Sequence, residues 1–163
     1  MTKIREYIES DLRSVLEVTE HAWAPVFPLM REDIPKYVYD SFYPEGWRKR
    51  QISEVEAVCA DAETDVWVAE IESRIVGYLG LRVHPEDSMG EIYIIAVDPA
   101  AQQKGVGKAL MAFAFDWMRE KKLKMAFVET GGDSGNEQAR LRYEAVGCER
   151  CTGAMYCKEE RRG

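Results

Sequence analysis

The spacing of apolar positions changes several times along the chain, and each change marks an element. Residues 4–7 read as a short first strand. From Asp11 onward, Leu12, Val15, Leu16 and Thr19 recur at helical spacing, which predicts a helix with Asp11 as its N-cap. Residues 22–46 show no period. They hold Pro25, Pro28, Pro35 and Pro44 among large side chains such as Trp23, Phe27, Tyr37, Tyr39, Phe42 and Tyr43, and are predicted to be irregular. A second helix is expected over 47–61. Residues 65–70 alternate as a strand, 72–74 make a turn, and 75–83 form the next strand. Gly77 and Gly80 within it mark a bulge or a close backbone approach. After a turn at 84–90, residues 91–97 (EIYIIAV) are almost continuously apolar, as in a central strand. A helix follows over 105–121, with Val106, Leu110, Phe113, Ala114 and Trp117 as its apolar stripe and Arg119, Lys121 and Lys122 at its negative end. Residues 124–130 form a strand, 136–145 a short helix with Gly147 as C-cap, and 154–158 a final strand.

The order is strand, two helices, three strands, helix, strand, helix, strand. Strands joined by short turns are antiparallel, and those joined through helices are parallel neighbours. The fold class is therefore α/β with a mixed sheet. A chain of 163 residues suits one domain, and 46% hydrophobic residues supply a core of adequate size. Net charge is −7, which argues against nucleic acid as a partner, because phosphate binding needs a basic surface. No apolar run reaches the roughly 20 residues of a membrane span, and the first residues lack the apolar stretch of a signal peptide. A cytoplasmic protein is expected, with no membrane partner. Cys148, Cys151 and Cys157 are spaced C-x2-C-x5-C, but His21 and His84 are distant in sequence, so no metal site is expected and Cys59 joins them as a reduced thiol.

The strongest chemical signal follows the apolar strand. Val97-Asp98-Pro99 ends it, and Gln102-Gln103-Lys104-Gly105-Val106-Gly107 opens the helix. A helix N-terminus leaves N–H groups without partners and carries the positive end of the dipole, so it can hold an anion. Glycines let a diphosphate approach the backbone. The alternative is a plain strand–helix junction. Neither a Walker A loop nor a Rossmann fingerprint fits, since no G-x-x-x-x-G-K-[ST] occurs and Leu110 stands where the latter needs a small residue.

Here the sequence resembles the GNAT acetyltransferase superfamily. Gln102 to Gly107 satisfies its [QR]-x-x-G-x-[GA] motif, and Asn136-x-x-Ala139-x-x-x-Tyr143-Glu144-x-x-Gly147-Cys148 resembles its second motif, with Cys148 where an aromatic residue is usual. The resemblance covers residues 65–156. It implies a single N-acetyltransferase domain over 1–163, with acceptor-side helices in 1–62 and a coenzyme-binding core in 63–158. It also implies a mostly antiparallel sheet of six or seven strands, flanked by helices, with a splayed central strand pair.

The resemblance further implies acetyl-CoA as cosubstrate. Its pantetheine arm would pair with the backbone of Ile95, Ala96 and Val97. Its diphosphate would rest on N–H groups from Gln103 through Lys108, that is Gln103, Lys104, Gly105, Val106, Gly107 and Lys108. Asn136 would contact the arm or, alternatively, cap its own helix. Tyr143 would protonate the leaving thiolate; its alternative is a core aromatic. Glu91, six residues before Val97, would take the amine proton, directly or through water, or be a strand-end charge. Tyr93 lies on the same face, and Asp133 is a weaker base candidate. The implied function is N-acetyltransfer from acetyl-CoA to a primary amine of a small molecule or peptide, by direct attack in a ternary complex. A non-catalytic acyl-CoA-binding sensor is the alternative. Glu32, Asp33, Asp40 and Glu45 among the early aromatics point to a cationic acceptor, and a homodimer is compatible with the family.

Overall fold

The computed structural model describes residues 1–160. The chain divides into two compact units, residues 1–23 with 48–129, and residues 24–47 with 130–160.

The first unit is built on a five-stranded sheet in sequence order: β1 (Lys3–Glu6), β2 (Asp65–Ile71), β3 (Arg74–His84), β4 (Met89–Val97) and β5 (Met125–Val128). The first four strands pair with one another antiparallel, and β5 runs parallel to β4. The mixed sheet agrees with expectation, but the strand count is lower. No strand forms at 154–158: residues 151–160 are exposed and carry no ladder, so no buried face holds that short apolar stretch extended.

Helix α1 (Leu12–Trp23) and helix α4 (Trp47–Ala60) lie on one face of the sheet, where Val15, Val18, Val55, Val68, Tyr78 and Ala96 form a buried cluster. Helix α5 (Val106–Glu120) covers the other face through Val106, Leu110, Ala114, Trp117 and Met118, packed on Leu79, Leu81, Ile92 and Val97. The stripe read from the sequence is the buried face of α5. Asp11 is not the N-cap of α1. It ends a 3-10 turn and reaches back, accepting from the Ile8 N–H at 2.9 Å and from both Arg5 amino groups at 2.8 and 3.0 Å.

The near-continuous apolar run of β4 has a structural cause. Gly80 pairs with Ile94 and Leu81 with Ile92, so Tyr93 is an extra residue opposite the β3 ladder. This bulge reverses the alternation. Ile92 faces the α5 cluster, and beyond Tyr93 Ile94 and Ala96 face the other cluster while Ile95 and Val97 return to the first. A Cβ at Gly80 would lie 2.8 Å from the Ile94 side chain, which explains glycine at this position.

The second unit holds helix α2 (Val26–Asp33), helix α3 (Lys36–Phe42) and helix α6 (Glu137–Ala145). The segment expected to be irregular is thus largely helical. Its prolines sit where a helix needs no N–H: Pro25 and Pro35 are N-caps and Pro28 lies in the first turn of α2. Phe27 is buried, with Trp47 stacked on it at 4.8 Å and Tyr43 edge-on at 5.2 Å. Helix α6 ends as expected at Gly147, whose φ of +92° is accompanied by bonds from the Gly147 N–H to Glu144 and from the Cys148 N–H to Tyr143.

The Arg5 hydrogen bonds hold the Asp11 carboxyl below its ordinary range, burial opposing and the Ile8 N–H assisting. A depressed folded-state value contributes stability above the unfolded value near 4, which is lost as pH falls through the folded value. Asp11→Ala should therefore destabilise by about 2 kcal/mol at neutral pH. In urea denaturation, the gap from the parent should close as pH falls below about 4.

Candidate functional site

Pairing between β4 and β5 runs from Met89↔Met125 to Ile92↔Val128 and stops there. From Tyr93 to Val97, β4 is paired only with β3 among the described residues. The polar groups on its other side follow from alternation. The Asp98 N–H donates to Val76 on β3 at 2.8 Å, and the Ala96 carbonyl also points to β3, lying 2.9 Å from where a Cβ on Gly77 would be. Successive residues of a strand point their N–H and C=O groups in opposite directions. Ile95 and Val97 therefore turn theirs to the open side, and Ala96 turns its own toward β3. The side chains of all three are committed to the two core clusters, so this edge offers backbone only.

The open edge leads into the start of α5. Asp98 begins a 3-10 turn over Pro99–Lys104, its side chain accepting from the Ala100 N–H at 3.0 Å and contacting His21 Nδ1 at 2.9 Å. Burial of this carboxyl is outweighed by the His21 and Ala100 hydrogen bonds, which keep its pKa below the ordinary range and its oxygens fixed as acceptors. Gly105 follows at φ +76°, a conformation that favours glycine, and nothing lies within 4 Å of where its Cβ would be. The first α-helical bond is from the Ala109 N–H to the Gly105 carbonyl. The N–H groups of Val106, Gly107 and Lys108 thus lack intrahelical acceptors and face outward at the positive end of a helix of 15 residues. Val106 is fully buried, whereas Gln103, Lys104 and Lys108 are exposed at the rim. Unpaired strand groups followed by a helix N-terminus behind an unobstructed glycine suit a coenzyme with an amide-bearing arm and a diphosphate.

Glu91 lies on the same strand, before the bulge. Its side chain is 14% exposed, and Oε1 is 2.8 Å from His84 Nε2. Arg82 is its cross-strand partner in register, yet the guanidinium turns away. It donates to Thr64 at 2.8 Å and Asp61 at 3.2 Å, and lies over the Tyr93 ring at 3.4 Å from the centroid. The carboxylate is therefore spared the neighbouring arginine. The sequence reading passed over His84 and Arg82, although positions 82 and 84 alternate toward one face and oppose 91 and 89 once the hairpin register is known.

In the second unit, Asn136 precedes α6 but makes no side-chain cap. Its Nδ2 donates to Asp133 Oδ1 at 2.8 Å, while Asp133 Oδ2 is buried with no partner among the described residues. Asp33 at the end of α2 accepts from both the backbone N–H and the hydroxyl of Ser134 at 2.6 Å, fixing the turn before α6. Tyr143 is half-buried; burial first, and the neighbouring Cys148 second, push its pKa above the ordinary phenol value, which keeps its proton on at neutral pH. Burial also raises the Cys148 thiol, which makes it a weak nucleophile. Among the described residues no group of side chains could hold a metal ion, and no helix is long and apolar enough to cross a membrane.

Comparison with known proteins bears on the fold and the family. The chain is 28% identical over 133 residues to a mycothiol acetyltransferase of Rhodococcus jostii (strain RHA1), an alignment that covers 73% of this chain and 43% of the relative. It thus spans less than half the length of that relative. Among solved structures, an aminoglycoside 6'-N-acetyltransferase of Acinetobacter haemolyticus superposes with a TM-score of 0.67 at 15% identity, covering 98% of this chain and 99% of the other. An N-acetyltransferase from Thermoplasma acidophilum in complex with coenzyme A gives 0.62 at 16% identity, covering 89% and 88%. These likenesses show the fold. The family model described as Acetyltransferase (GNAT) family matches residues 23–148, most of the chain, and the chain belongs to that family.

Proposed function

We propose that this protein is an N-acetyltransferase that transfers the acetyl group of acetyl-CoA to a primary amine of a small molecule or peptide, by direct attack in a ternary complex. The observation that carries the reading is the unpaired edge of β4 at Ile95 and Val97, which runs straight into the outward N–H groups of Val106, Gly107 and Lys108. Residues 63–158 supply the coenzyme-binding core and residues 1–62 the acceptor side. Bound acetyl-CoA supplies an acyl group activated as a thioester.

The chain's own groups bind the coenzyme and move two protons. Ile95 and Val97 pair with the pantetheine amides, and the α5 N-terminus holds the diphosphate. Gln103, Lys104 and Gly105 shape the rim, and Asn136 offers its free Oδ1. Because the principal donors are backbone N–H groups, a net charge of −7 does not oppose the binding of an anionic coenzyme. Glu91, unpaired with Arg82, takes a proton from the acceptor ammonium, since most amines are protonated at neutral pH. Tyr143 Oη holds a proton for the departing thiolate. The names of the relatives, a mycothiol acetyltransferase and an aminoglycoside acetyltransferase, support an amine on a small polar molecule as acceptor.

Two expectations test the reading. In calorimetry with acetyl-CoA, Lys108→Ala should weaken binding less than about 3-fold, because the side chain is at the rim. Lys108→Pro removes the N–H and should weaken it by roughly 10-fold or more, a lost hydrogen bond to a charged group. Pro28 already stands at the equivalent first-turn position of α2, so the helix start tolerates the change. Equal effects of the two substitutions would locate the anion elsewhere. Tyr143→Phe should lower kcat by about 100-fold with acetyl-CoA affinity unchanged. Thiol release across a panel of polyamines, aminoglycosides and amino acids is the assay. Tight acetyl-CoA binding with no turnover on any amine would favour a non-catalytic acyl-CoA sensor.

A further inference from the structure

The histidine beside Glu91 has no part in the reading above, and its surroundings are unusual. His84 ends β3, opposite Met89 at the start of β4. One ring nitrogen, Nε2, is 2.8 Å from Glu91 Oε1, and the other, Nδ1, is 3.7 Å from Glu86 Oε1. An ionised carboxylate can only accept, so the proton of the short contact sits on Nε2. Glu91 makes no other hydrogen bond among the described residues. Its second oxygen, Oε2, is therefore left to accept from something else.

The charges around the ring come from every neighbouring element. Glu86 lies on the turn after β3, Glu91 on β4, and Arg82 two residues back on β3. Arg82 is occupied by Asp61, Thr64 and the Tyr93 ring. On its outer side His84 borders a cleft of about 490 Å³ lined also by Glu63, Asp65, Glu86 and Trp117. Lys121 sits over the Trp117 ring at 4.7 Å. The imidazole is thus the only donor directed at Glu91 among the described residues, set between that carboxylate and an acidic opening.

We propose that His84 is a positioning residue for Glu91. By holding Oε1, its Nε2–H fixes the rotation of the carboxylate and directs Oε2 to the acceptor amine. A carboxylate tied to Arg82 would be covered by a guanidinium, whereas the single Nε2–H leaves Oε2 open. This inference rests on the reading of Glu91 as the base.

The test compares Glu91→Gln, His84→Ala and His84→Gln in the full chain. Turnover is followed by thiol release from acetyl-CoA on the amine panel. The Glu91 side-chain carboxyl resonance is followed at a fixed neutral pH by carbon NMR with and without the His84 substitutions, a readout that needs no acceptor. Removing the donor in His84→Ala should lower kcat by about 10-fold, leave the KM for acetyl-CoA unchanged, and move the Glu91 carboxyl resonance. Glutamine can present an amide N–H to Oε1, so His84→Gln should recover most of the loss and return the resonance toward the parent position. An unmoved Glu91 resonance in His84→Ala, or no recovery of turnover in His84→Gln once the resonance has returned, overturns the positioning role. Full activity in Glu91→Gln would instead remove Glu91 as the base. The carboxyl resonance still reports whether His84 holds the carboxylate in that case.

Discussion

The first unit depends on how far β4 stays paired. On the β3 side the ladder runs the length of the strand, interrupted once at Tyr93. On the β5 side it ends at Ile92. Unpaired backbone N–H and C=O groups are costly to bury and are normally satisfied. A strand that keeps its side chains in two cores while leaving Ile95 and Val97 unpaired on one edge has backbone groups free to bond a ligand, the premise of the proposed function. The bulge makes this workable. It reverses the alternation beyond Tyr93, so a run apolar at almost every position can feed the α5 cluster and the α1–α4 cluster at once. It also sets Glu91 and Tyr93 apart from the section of strand that carries the open edge.

Two electrostatic arrangements follow from the same strand. At its end, an acidic chain turns neutral N–H groups outward, the donors to which the proposed function assigns the diphosphate. The α5 N–H groups act through a short-range dipole, and Gly105 clears the approach. At its beginning, an available arginine is drawn off by Asp61, Thr64 and Tyr93, and Glu91 is left with a histidine. Both arrangements separate the charge of the chain from the charge at a particular atom, which is why the composition alone says so little about the ligand.

Much of this was legible in the sequence. The glycines of Gln102 to Gly107, the second motif from Asn136 to Cys148, the α5 stripe and the Gly147 cap are local features, and local spacing reveals them. Gly77 and Gly80 in β3 suggest a bulge or a close backbone approach, and the structure has a register shift at Gly80 and the Ala96 carbonyl against Gly77. What could not be read depends on register or on distant partners. Asp11 looked like an N-cap because a short polar residue preceded an apolar period, yet Arg5 and the Ile8 N–H claim its oxygens. The prolines of 25–35 suggested irregular chain, because the sequence does not show that each falls at an N-cap or in a helix's first turn. The segment 154–158 has the composition of a strand, but composition does not show whether a segment joins a ladder, and these exposed residues do not. The His84–Glu91 contact needed the β3–β4 register, which a bulge shifts by one residue.

The central claim is that the open edge of β4 is a coenzyme site. Backbone hydrogen exchange, resolved residue by residue by NMR, tests it most directly. The account predicts that acetyl-CoA slows exchange at the Ile95 or Val97 amide, and at those of Gly107 and Lys108, by about 10-fold or more, the mark of a newly formed hydrogen bond. The Ala96 amide, already turned to β3, should change least. Unaltered exchange at Ile95 and Val97 under saturating acetyl-CoA would contradict the account.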